Sequence, residues 1–155
     1  MSEDLFIPLV MRWLHILSAI VATGGAIFSL LVLLPAAGKT LQPADREQLT
    51  EAVRTRWQRF IHAAILFFLI SGFYNYLTIT RHQHEDQPLY HALFGVKFLL
   101  AMAVFALALA LTSSRPWSRR LRTQGRRWLA ALVACAVAVV MISSVLRTLP
   151  KTVPA

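Results

Sequence analysis

The sequence is short of what a soluble surface needs. Only 15% of its 155 residues are Asp, Glu, Lys or Arg, against ~25% in an average soluble domain. Seven are acidic: Glu3, Asp4, Asp45, Glu47, Glu51, Glu85 and Asp86. There is one cysteine, Cys135, which excludes an intrachain disulfide framework. Apolar residues make up 57% of the chain, which excludes disorder, a state of apolar-poor sequences. No Gly-rich phosphate loop, nucleophile elbow or closed zinc motif is present. The length fits one domain, at ~100–200 residues each.

What is present is four long apolar runs, at about residues 10–34, 60–79, 89–112 and 128–145. None contains an Asp or Glu. Each is near the ~20 residues that span a bilayer as a helix. Stretches such as FLLAMAVFALALALT show no polar face, whereas a soluble bundle would carry one on every helix. Spans in lipid must satisfy their own backbone groups, so each run should be helical. The expectation is an all-α integral membrane four-helix bundle, one transmembrane domain over 1–155. The first run exceeds the ~7–15 residues of a signal core and follows an acidic segment, so it should be a retained helix. Pro35 should close it. The first connection should carry a short amphipathic helix with Asp45 as N-cap. Its Leu49, Val53 and Trp57 recur every four residues, a stripe suited to the membrane surface.

The formal net charge of +9 is unevenly spread. Eleven basic residues fall in the first and third connections, among them Lys39, Arg46, Arg54, Arg122 and Arg126. Four fall on the opposite side: Arg12, Arg81, Arg147 and Lys151. The positive-inside rule puts the eleven in the cytoplasm. In a bacterium this implies the inner (plasma) membrane, with both termini and the segment HQHED (residues 82–86) in the periplasm. The basic clusters read as orientation signals that favour anionic lipid, not as a nucleic-acid site.

Ionisable groups within a bilayer are costly and mark candidate sites. His15 shares a face with Ser18, Ala19, Ala22, Gly25, Ala26 and Ser29. Such a small-residue stripe is how membrane helices pack closely, so His15 should point into the bundle. It is either a hydrogen-bonded core histidine or a ligand to heme iron or copper. Lys97, inside the third run, should snorkel or serve as a fixed cation or proton donor facing His15. It could pair with the carboxylate of a bound ligand such as a heme propionate. His91 starts the third span at the same level and is either interfacial or a second ligand. His62 lies near the opposite face and is either interfacial or part of a separate site. His82 and His84, with Glu85 and Asp86, offer a weak copper or zinc contact. Cys135 reads as a small packing residue.

These residues support a family resemblance. WLHILSAIVATGGAIFSLLVLLPA resembles the first helix of the copper resistance D (CopD) membrane domain. The shared features are His15, Gly24–Gly25 with Phe28, and Leu34–Pro35–Ala36. TRWQRFIHAAILFFLISGFYNYL resembles the family's next helix, with Ser71–Gly72. LYHALFGVKFLLAMAVFALALALTSSR resembles the next, with Lys97 in its apolar run. The pattern is also similar to HemJ-type protoporphyrinogen oxidase, which carries a histidine in its first helix and a lysine after a later loop. That likeness implies heme b on His15 and a role in activity for Lys97. The sequence departs from it after His15, where Gly-Gly-x-x-F replaces the Trp-Phe-Ala-Gly run. Three functions follow as expectations. One is a CopD-type protein that handles copper or holds heme b near the outer face, through His15, His91, Lys97 and the His82/His84 pair. Another is a heme-dependent oxidase. The third is a cofactor-free assembly subunit. Homodimers are compatible with the small-residue faces.

Overall fold

A computed structural model of the chain describes residues 3–80, 88–113 and 115–148. Four of its helices are long and apolar enough to cross a membrane. No strand occurs among the described residues. The first span is α1 (Glu3–Phe28), a π-helical turn (Ser29–Leu33) and α2 (Leu34–Thr40). The second is α3 (Pro43–Asn75), followed by a π-helical turn at Tyr76–Thr80. The third is α4 (Pro88–Thr112) and the fourth α6 (Gly125–Thr148). Between those two lie a 3-10 turn (Pro116–Ser118) and the short α5 (Arg119–Thr123). In packing, α1 lies chiefly on α3 and α4 chiefly on α6.

The side-chain distribution is that of a lipid-facing bundle. Most of the buried apolar residues are alanines, among them Ala26, Ala64, Ala108 and Ala136. Large apolar residues face outward, with Leu31 67%, Leu99 69% and Met141 65% exposed. Water would oppose that arrangement, but acyl chains are as apolar as leucine, so close backbone approach through small residues holds the helices together. This makes the chain a multi-pass membrane protein.

Several boundaries differ from the hydropathy reading. Pro35 does not end the first span. Proline lacks an N–H, and its ring would clash with the carbonyl four residues back. The π turn just before it widens the helix, with the Leu34 N–H bonded to the Ser29 carbonyl. The helix therefore runs on to Thr40. The first connection is not a loop with a surface helix. It is a two-residue turn, and α3 starts directly after it at Pro43. Gln42, not Asp45, is the N-cap; Asp45 lies in the first turn, where its charge suits the helix dipole. Leu49, Val53 and Trp57 do not lie on the membrane surface but face a cavity inside the bundle.

The polar start of α3 overhangs the bundle. At ~1.5 Å per residue, Pro43 stands about 16 Å beyond Arg54. Arg54 is level with the end of α4, because its Nη1 donates to the Ser113 carbonyl. Nη1 of Arg122 donates to the same oxygen at 2.8 Å, and the fully buried Ser118 hydroxyl lies 3.1 Å from it. Glu51 pairs with Arg54 from the turn before. A carbonyl just past a helix C-terminus has no intrahelical donor and sits at the negative end of the dipole, so two guanidiniums suit it. Hydrogen bonds to charged groups contribute ~1.5–3 kcal/mol, and Ser113 keeps the Arg122 donor without Arg54. Arg54→Met is therefore expected to cost about 1–2 kcal/mol. The check is a thermal melt in detergent, in which Arg56→Met, on the exposed side of α3, changes little.

Candidate functional site

The end of the bundle opposite the arginines carries His15 and His91. His15 is half-buried on α1 and faces α3. Its Nδ1 lies 3.0 Å from the Ser71 hydroxyl oxygen. Ser71 is fully buried and donates its own proton to the Phe67 carbonyl at 2.6 Å. A hydroxyl has one proton, so Nδ1–H of His15 is the donor in the His15–Ser71 bond. The neutral ring then holds its Nε2 lone pair free. A ring fixed through one nitrogen, with the other available, is the arrangement found behind metal-ligating histidines. Two further residues of α3 border the ring. Gly72 lies against the ring, where even a Cβ would make only an ordinary contact, 3.6 Å from His15 Cε1. Phe68 tilts against the imidazole with ring centroids 4.0 Å apart. Phe105 of α4 meets Phe68 edge-on at 5.6 Å.

Lys97 projects from α4, half-buried, near enough for its charge to reach the His15 ring. It makes no hydrogen bond or ion pair among the described residues. His91 is exposed at the start of α4, with the buried Tyr90 as its ring neighbour at 6.0 Å. Tyr76 stacks on Phe94 at 4.6 Å beside it. His62 is exposed on α3, with Nδ1 2.7 Å from the Gln58 carbonyl of its own helix. His82 and His84 lie outside the described residues. Cys135 is a free, half-buried thiol on α6.

Among the described residues no group of three or more His, Cys, Asp or Glu gathers to hold a metal ion. The structure thus joins His15, Ser71 and Phe68, with Lys97 half-buried on α4, and leaves His91 and His62 exposed. Helical spacing assigned His15 its face correctly, but nothing local in the sequence pairs it with Ser71, 56 residues away.

Below this group lies a cavity of about 1370 Å³ that extends to the arginine end. Ala19, Phe68, Ala101 and Phe105 line its upper end. Ala19 is one turn from His15 and Ala101 one turn from Lys97. His15 itself does not line the cavity, whereas Phe68, which touches its ring, does.

No family model, curated protein or solved structure matches the chain.

Proposed function

We propose that the protein binds a heme-type tetrapyrrole at its histidine end, with His15 Nε2 as axial ligand. The observation that carries this reading is the bond between His15 and Ser71, which commits Nδ1–H and leaves Nε2 free. One axial histidine suffices for heme. A protein copper site needs several ligands, so a copper reading depends on His91, His82 and His84 as well. Lys97 supports the heme reading from the other side. An ammonium within a membrane span and without an anion is costly, and a tetrapyrrole carboxylate would supply one. The resemblance to the CopD and HemJ families includes these two residues. A bound heme would supply one-electron redox chemistry.

In this reading both termini and the His15–Lys97 group face the periplasm, and the arginine end faces the cytoplasm of a bacterial cell. The charge distribution supports that orientation. The free Lys97 also favours a second reading, a HemJ-type oxidase in which it positions a porphyrin carboxylate. Rescue of a strain lacking protoporphyrinogen oxidase separates the oxidase from a non-enzymatic heme protein.

The test is a titration of the detergent-purified protein with hemin, read at the Soret band. Saturation near one heme per chain is expected. Outer ligands that orient a metal-bound histidine change affinity by ~10–100-fold, so Ser71→Ala should weaken binding by about that factor. A linear, non-saturating response identical in both proteins would end the proposal.

A further inference from the structure

The cavity changes character along its length. Its walls are apolar, with Ala26, Ile61, Ala108 and Leu132 meeting around it. Its rim at the arginine end holds five cations against two carboxylates, Glu47 and Glu51. Arg54 and Arg122 are engaged by the Ser113 carbonyl. Lys39, Arg46 and Arg126 are exposed at the rim, and none of their side chains makes a hydrogen bond or ion pair among the described residues. They come from three different elements, α2, α3 and α6. Nη1 of Arg46 lies over Gly38 of α2, 3.9 Å from where a Cβ would stand.

An apolar chamber within the bilayer, ending in free cations at the interface, matches an amphiphile with an anionic head. We propose that this cavity binds an anionic phospholipid of the adjacent leaflet, with an acyl chain between the spans and the phosphate against Arg46, Arg126 and Lys39. The volume exceeds the ~300–1,000 Å³ of drug-sized pockets, which suits a lipid chain. His15 is not among the residues that line the cavity, so the lipid site does not rest on the heme proposal.

The test is native mass spectrometry of the full chain released from nanodiscs of equal parts phosphatidylcholine and phosphatidylglycerol. Phosphatidylglycerol should be retained in preference. Juxtamembrane basic residues contribute about fivefold each to anionic-lipid affinity. The double variant Arg46→Gln/Arg126→Gln should then lower the retained ratio about 25-fold. Arg120→Gln/Arg127→Gln removes the same charge at the same end, outside the cavity, and should leave the ratio unchanged. His15→Ala should also leave it unchanged. All substituted arginines are at the surface, so folding is not at issue. Equal retention of both lipids overturns the proposal. So does an equal loss in the two double variants, which would mean diffuse surface attraction. Displacement of the retained lipid by inorganic phosphate alone would overturn the acyl-chain half of the assignment.

Discussion

Gly25→Ala destabilises the bundle, while Gly24→Ala does not. A Cβ at Gly25 would run into the indole of Trp57 on α3. At Gly24, the next residue, a Cβ meets nothing within 4 Å. Intrinsic propensity favours alanine over glycine in a helix by ~1 kcal/mol at either site. Overpacking a close contact costs ~1–3 kcal/mol. The two terms oppose at Gly25, where the whole Trp57 indole must shift to admit a Cβ, so a net loss of about 1–2 kcal/mol is expected there. At Gly24 only the favourable term acts. Gly25→Leu should prevent stable folding altogether. A Gly25→Ala/Trp57→Phe double variant should recover most of the loss, because residues in contact are not additive. Thermal melts in one detergent check all four. If Gly24→Ala and Gly25→Ala moved in the same direction, α1 and α3 would not approach as described.

His15→Ala removes the axial ligand and with it the Soret absorbance of the purified protein. The expected loss is complete, because no other described histidine lies in the bundle interior. His62→Ala and His91→Ala should retain the band, since both side chains are exposed. This set separates heme from copper. A copper site built from His15, His91, His82 and His84 would lose metal in several of these variants, including His91→Ala. The effect of His15→Ala should not be a folding defect, because Ser71 keeps its bond to the Phe67 carbonyl without the imidazole. An unchanged melting profile beside a lost Soret band is the predicted combination.

Hydropathy made the number and order of the spans legible. It did so because lipid imposes a single requirement, apolar side chains over a fixed length, that no tertiary detail can override. The same criterion hid the polar ends. The residues from Pro43 to Arg59 are helical but too charged to register as a span, so α3 came out short and the connection long. Pro35 looked like a stop because a proline normally breaks a helix; the π turn that absorbs it has no sequence signature. Trp57 fell on the correct stripe but was assigned to the membrane surface, since periodicity gives a face without saying what lies opposite. The His15 face was readable from the small residues that follow it. Its partner Ser71 was not, because that pairing depends on the depth at which α1 and α3 cross. Arg54 and Arg122 read as orientation charges, although both also bond a helix-terminal carbonyl.

The central claim is that His15 holds a tetrapyrrole near the outer face of the membrane. The most direct measurement is the absorption spectrum of the protein purified from membranes, oxidised and reduced, with iron and copper determined on the same sample. The account predicts a Soret band that shifts on reduction and iron approaching one atom per chain. A protein that carries copper without iron, or neither metal and no Soret band after growth with ample heme, would contradict it.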